Sequence, residues 1–126
     1  MYRCALAALL AATLITPATA QMQRNFPATA LRGGIVIGEP PELMLNGKAA
    51  RLAPGARIRG QDNMVQMSGA LSGAKLLVHY TIDTYGLVKD VWILRPEEAA
   101  VRPWPATLEQ AQTWTFDPNA QTWSKP

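Results

Sequence analysis

His79 is the one histidine of the chain and the first residue to consider for acid–base or metal chemistry, because imidazole is the side chain that titrates near neutrality without help from its surroundings. On a strand, Asp83 shares its face four residues on, but at ~3.3 Å per residue the two Cα atoms stand about 13 Å apart, too far for a direct pair. A metal would need more nitrogen or sulfur ligands than one histidine and the single Cys4 supply. Ser68, Ser72 and Ser124 are the only serines. None lies in a nucleophile elbow, and His79 would have to serve any of them as base. Asp90, Glu97 and Glu98 offer carboxylates, yet Glu97 and Glu98 are neighbours at a helix start, where the positive end of the helix dipole accounts for them. Gly33-Gly34 precedes a strand and so does not read as a phosphate loop. The sequence therefore assigns no catalytic, cofactor-binding or metal-binding residue and no cofactor. His79 is expected to face solvent from a strand, with a small hydrolase or metal-binding protein using His79 kept as an alternative.

Binding is the other chemistry on offer. Trp92, Trp104, Trp114 and Trp123 all fall in the last third of the chain. Trp92 is expected in the core. Trp104, between two prolines, and Trp123, in the tail, are candidates for an exposed aromatic binding surface; the other reading of Trp104 is that it packs over an apolar strand face. Arg57 and Arg59 alternate around Ile58, giving either a small anion contact or a solvated strand face. The remaining basic residues are scattered, which excludes a nucleic-acid stripe. The whole chain carries 12 basic and 9 acidic side chains.

The elements that must position these residues are short. Asn46-Gly47, between Leu43–Leu45 and Lys48–Ala50, is a strong two-residue hairpin signal, since a type I′ turn needs positive φ at both positions. Pro54-Gly55 has type II turn chemistry. Leu76, Val78, Tyr80 and Ile82 alternate with more polar residues, the period of a half-buried strand. Asp83–Gly86 closes a hairpin that pairs Ile82 with Val88, Tyr80 with Asp90 and Val78 with Trp92. Pro96–Ala100 starts like a helix, Thr107-x-x-Gln110 fits a capping box for a second, and Trp114–Phe116 reads as a closing strand. The expected fold is α+β, mainly β: a small antiparallel sheet of hairpins with one or two short C-terminal helices. Residues 21–34 read as a flexible lead and 35–126 as a single β-rich domain.

The front of the chain is built for export. Arg3 supplies a positive n-region, and Cys4–Ile15 is an apolar run of about a dozen residues, within the range of a signal h-region and short of the ~20 that a membrane span needs. Pro17 breaks the run, and Ala18-Thr19-Ala20 is a small-residue cleavage site. Residues 1–20 are thus read as a cleavable signal peptide, with Gln21 first in the mature protein. Cleavage removes Cys4, which precedes the apolar run and so is not placed for lipidation. The mature protein then has no disulfide, and no stable membrane insertion is expected.

The stretch Val78–Asp83, Gly86, Val88–Ile93, then Ala111, Trp114, Phe116 and Pro118, resembles the C-terminal domain of TonB-type energy transducers. That family has an extended strand, an Asp-x-x-Gly turn, a second strand, an alanine-containing helix and an aromatic-x-aromatic-x-Pro ending. The resemblance implies a ββα-β scaffold and, as one alternative, an envelope-transport adaptor. The chain as a whole is similar to small exported Gram-negative proteins of unknown function. The leading expectation is an exported, non-catalytic periplasmic or secreted protein that binds an envelope protein partner or assists envelope assembly, using hairpin edges for strand addition. Intact-mass analysis of the protein isolated from cells is expected to give a chain that starts at Gln21; a chain that still carries Met1 would contradict export by this leader.

Overall fold

A computed structural model describes residues 23–126; the signal-peptide reading, with Ala18, Ala20 and Gln21, lies outside the described residues. Strand β1 is Leu31–Ile37, β2 is Glu42–Leu45 and β3 is Lys48–Arg59. The Asn46-Gly47 turn between β2 and β3 has the expected left-handed pair, with φ of 52° and 81°. Asn46 also reaches into the sheet: its Oδ1 accepts from the Gly34 amide at 2.9 Å. Gly33 leaves the room this needs, because a Cβ there would stand 2.8 Å from Asn46 Oδ1 and 3.1 Å from the Tyr80 ring.

Strand β4 is Val65–Gln66, β5 is Lys75–Ile82 and β6 is Val88–Ile93. The strands run in the order β2-β1-β5-β6-β3-β4, and β2 also pairs with β3. That last pairing closes β2-β1-β5-β6-β3 into a five-stranded barrel. Strands β1, β2 and β3 form a meander, β5 returns beside β1 as in a Greek key, and β6 fills the gap between β5 and β3. This is the strand order of OB-type Greek-key barrels.

The expected sheet of hairpins is therefore corrected to a closed barrel, and one of its seams, β3 with β6, is parallel. The cause is Pro54-Gly55. These residues do not end a hairpin; they bend one long strand. Gly55 takes φ of 78°, which an L side chain resists. The register between β3 and β6 shifts between Leu52 and Arg57. Before the bend β3 pairs with β2 through Lys48–Arg51, and after it Arg57, Ile58 and Arg59 pair with Asp90, Val91 and Trp92. One strand thereby serves both sides of the closure.

A second correction concerns the β5–β6 hairpin. Ile82 pairs with Val88 as expected, and the Asp83 amide donates to the Leu87 carbonyl at 2.9 Å. Tyr80, however, faces Val91, and Val78 faces Ile93. An extra β6 residue at Lys89-Asp90 makes a bulge, and the Thr81 hydroxyl accepts the Asp90 amide at 3.2 Å. The bulge turns Val91 into the barrel and Trp92 out of it. Leu31, Ile35, Ile37, Leu43, Leu52, Ile58, Val78, Tyr80, Val88 and Val91 fill the interior.

A second core lies outside the barrel, formed by Phe26, Ala30, Trp92, Leu94, Trp104 and Trp123. The tail that builds it comprises helices α1, Pro96–Ala99, and α2, Leu108–Thr113, then the hairpin of β7, Thr115–Asp117, and β8, Thr122–Ser124. Thr107 caps α2 through its hydroxyl, as its spacing predicts. The closing strand pairs with β8 and not with the barrel. The expected flexible lead is also corrected: β1 starts at Leu31, and Arg24, Phe26 and Ala30 are buried against the tail.

At Gly55 nothing lies within 4 Å of the point a Cβ would occupy, so Gly55→Ala tests the bend with no steric clash. It is expected to cost about 1–2 kcal/mol in urea unfolding, the cost of a left-handed L residue. An unchanged midpoint would show that the bend does not depend on the left-handed residue.

Candidate functional site

His79 sits on β5 between Arg32 of β1 and Trp92 of β6, which pair with it directly. It points away from the interior, as its strand parity requires, yet it is 1% exposed. The tail and the segment before β1 cover it: Trp104 stacks on the imidazole with centroids 4.0 Å apart, and Phe26 meets it edge to face at 4.4 Å. The expected solvent-facing histidine is therefore corrected to a buried one. Strand alternation alone places it outside the barrel, and the aromatic cover from elsewhere in the chain buries it.

The imidazole is held by a cation. Arg32 Nε donates to His79 Nε2 at 3.1 Å, with Nη2 at 3.0 Å from the same atom. Arg32 also donates to the backbone carbonyls of Val101 at 2.7 Å, Glu98 at 3.0 Å and Ala99 at 3.3 Å. Since Nε2 accepts, the neutral ring carries its proton on Nδ1. That N–H is buried without a partner among the described residues. Burial first, then the charges of Arg32 and Arg24, push the His79 pKa down to about 2. At neutral pH the ring stays neutral, with its basic nitrogen occupied.

A second arginine ties the same segment down. Arg24 Nε donates to Glu98 Oε2 at 2.8 Å, and a shorter ion pair joins its Nη2 to Oε1. Arg24 further donates to the carbonyls of Gly60 at 2.9 Å and Ile93 at 2.8 Å. Glu98 also caps α1, accepting the Arg95 amide at 2.8 Å. Burial alone would raise the Glu98 pKa, but hydrogen bonds from Arg24 and the Arg95 amide, with the two positive charges, hold it below its ordinary value. Beside Arg24 lies a cavity of about 290 Å³ lined in part by Phe26, His79, Arg95, Trp104 and Gln121.

Of the residues singled out in the sequence, His79, Trp104 and Trp123 are brought together, and Arg57 and Arg59 lie apart from them. Trp104 and Trp123 are 7% and 5% exposed and belong to the outer core. Trp104 is fixed by its indole N–H, which donates to the Ala30 carbonyl at 3.0 Å. Arg57 is exposed on β3 and Arg59 half-buried. The groove lined by Arg59 and the groove lined by Trp104 and Trp123 share no residue. Sequence reasoning missed Arg24, Arg32 and the second role of Glu98. The available signal was Glu98 three residues after Arg95 with Pro96 between them, the spacing of a helix start.

Strand edges stay open at β4 and in the two-stranded β7–β8 sheet. Closure uses both edges of the barrel strands, so β5 and β6, which carry the TonB-like pattern, are paired on both sides. Among the described residues strand β4 has β3 as its only neighbour and ends the sheet. Around it Met64, Val65 and Met67 are 66%, 64% and 79% exposed. Among the described residues no helix is long and apolar enough to cross a membrane. Comparison with protein-family models, characterised proteins and solved structures finds no match for the chain.

The depressed His79 pKa has a signed consequence. The unfolded chain takes up a proton below the ordinary value of 6.5, while the native ring does not until about pH 2. Stability is therefore full above pH 6.5 and falls as acid is added, by up to about 1.4 kcal/mol per pH unit from this group. Glu98 acts in the same direction at lower pH, where its stabilised carboxylate is finally protonated. Urea unfolding at pH 7, 6 and 5 is expected to show this decline, and His79→Gln, which keeps an acceptor for Arg32, should flatten it between pH 6.5 and 5. An equal slope in the variant would assign the decline to other groups.

Proposed function

We propose that the chain is an exported, non-catalytic binding protein of the cell envelope that takes a protein partner on the edge of β4. The observation that carries this reading is the β4 hairpin itself. It joins a strand with one edge unpaired among the described residues to three large apolar side chains, each more than half exposed. An unpaired edge offers a row of backbone donors and acceptors that a partner strand can satisfy. Methionine suits such a surface because its unbranched, polarisable side chain adapts to different partners.

The state of His79 supports binding over hydrolysis. A general base should have a pKa near the working pH and a free acceptor nitrogen. His79 has its pKa pushed down to about 2 and its Nε2 occupied by Arg32. Export follows from the leader and the cleavage site at Ala18-Thr19-Ala20. The envelope-adaptor reading that the TonB resemblance implies would place its partner strand on the same edge; the identity of the partner separates the two.

The test is affinity capture from cross-linked cell envelopes with a C-terminally tagged chain, comparing the natural sequence with M64K/M67K. Both positions are exposed, so the pair should change folding stability by less than about 1 kcal/mol. One recurrent envelope protein is expected with the natural sequence and is lost with the variant. The same protein captured equally by both would remove β4 from the interface, and no recurrent protein with either would contradict the binding reading.

A further inference from the structure

We propose that Met64 and Met67 form an oxidation site on the β4 edge, where a peroxide converts their thioethers to sulfoxides and thereby releases the protein partner. The release rests on the reading of this edge as a binding surface; the oxidation does not. Met64 lies just before β4 and Met67 just after it, and they are 66% and 79% exposed. Neither belongs to the barrel interior or to the outer core. Among the described residues neither side chain makes a hydrogen bond or a ring contact. The backbone holds both in place. The Met64 amide donates to Asp62 Oδ1 at 3.0 Å, and its carbonyl accepts the Gly60 amide at 2.9 Å. The Met67 carbonyl accepts the Ala70 amide at 3.0 Å, and between the two methionines Val65 and Gln66 pair with Arg59 and Ile58. Both sulfurs can therefore change chemistry while the hairpin keeps its shape.

The step needs a peroxide as its one co-reactant. The thioether sulfur gives an electron pair to one peroxide oxygen; an S–O bond forms and the O–O bond breaks. The proton on the transferred oxygen passes to the leaving hydroxide, which departs as water. Sulfur is oxidised by two electrons and the peroxide is reduced by the same two. The product is a polar sulfoxide in place of an apolar group, and methionine sulfoxide reductases reverse it. On the free edge water satisfies the sulfoxide oxygen. A partner strand laid along β4 runs past both positions and removes that water, and an acceptor buried without a donor opposes binding. Met44 supplies an internal reference: it is 43% exposed and lies on β2, which pairs with Lys48–Arg51 of β3, whereas β4 pairs with Ile58 and Arg59 at the far end of that strand.

The test treats the tagged chain, as isolated from cells, with hydrogen peroxide and removes the peroxide before any binding step. Peptide mass spectrometry follows each methionine against time. Met64 and Met67 are expected to gain oxygen several-fold faster than Met44, with the urea unfolding midpoint unchanged. Oxidised chain added to isolated envelopes before cross-linking should capture the recurrent partner about tenfold less than untreated chain, the scale of one buried unpaired acceptor. Methionine sulfoxide reductases A and B should restore capture. M64L/M67L, which keeps the edge apolar without sulfur, should hold its own level of capture through the same treatment. No recurrent partner with the untreated chain overturns the release together with the binding reading. The oxidation site is then still decided by the rates and by retention on a phenyl column, which peroxide should shorten for the natural sequence and not for M64L/M67L. Oxidation of Met64 and Met67 no faster than that of Met44 would overturn the proposal, as would undiminished capture by the oxidised chain or an equal loss in M64L/M67L.

Discussion

Two guanidinium groups held between the barrel and the tail organise the rest of this molecule. Charge is costly to bury unless each donor finds an acceptor. Arg24 meets this condition with the Glu98 carboxylate and the carbonyls of Gly60 and Ile93. Arg32 meets it with His79 and the carbonyls of Glu98, Ala99 and Val101. Nearly all of these acceptors belong to the stretch from β5 onward, so the chain leaving β6 has little choice of path. It must turn through α1 directly over the outer face of β1 and β5. Once there, it brings Trp104 onto His79 and lets Phe26, Phe116 and Trp123 complete the aromatic cover.

This arrangement explains why a strand histidine that looks available for chemistry is not. The arginine that secures the tail also occupies its basic nitrogen and opposes its protonation. It also decides which surfaces the fold leaves uncovered. Barrel closure removes the strand edges, except where β3 bends away from β2 and leaves room for β4. The tail then buries the aromatic residues that would otherwise form a sticky face. Among the described residues the β4 edge stays open, with exposed Met64, Val65 and Met67 beside it.

Much of the local structure is legible in the sequence. Asn46-Gly47, Asp83–Gly86 and the Thr107 cap each rest on a few neighbouring residues, and each lies where its chemistry places it. The failures are nonlocal. Pro54-Gly55 has the same chemistry in a turn and in a bend, and only the pairing of Arg57–Arg59 with β6 decides between them. The bulge at Lys89-Asp90 inserts one residue, which reverses the facing of everything beyond it and makes Trp92 and Val91 exchange sides. The candidate site is hidden for the same reason. Arg24 and Glu98 are 74 residues apart, and Arg32 and His79 are 47 apart; no periodicity connects such pairs. Gly33-Gly34 reads as the end of a loop because glycine lacks strand propensity, while the packing of Asn46 and Tyr80 demands glycine at position 33.

If the buried arginines couple the tail to the barrel, the coupling is measurable. A double-mutant cycle on Arg24→Met and Glu98→Gln, read by urea unfolding of the single and double variants, gives it directly. Removing one member of a buried pair leaves the other charge uncompensated and should cost about 3–5 kcal/mol. The double variant should cost clearly less than the two single changes added together, with a coupling energy of about 2 kcal/mol or more, within the range seen for residues in one network. Additive and small single effects would contradict the coupling through Arg24, because the tail would then be held by Arg32 and its aromatic contacts.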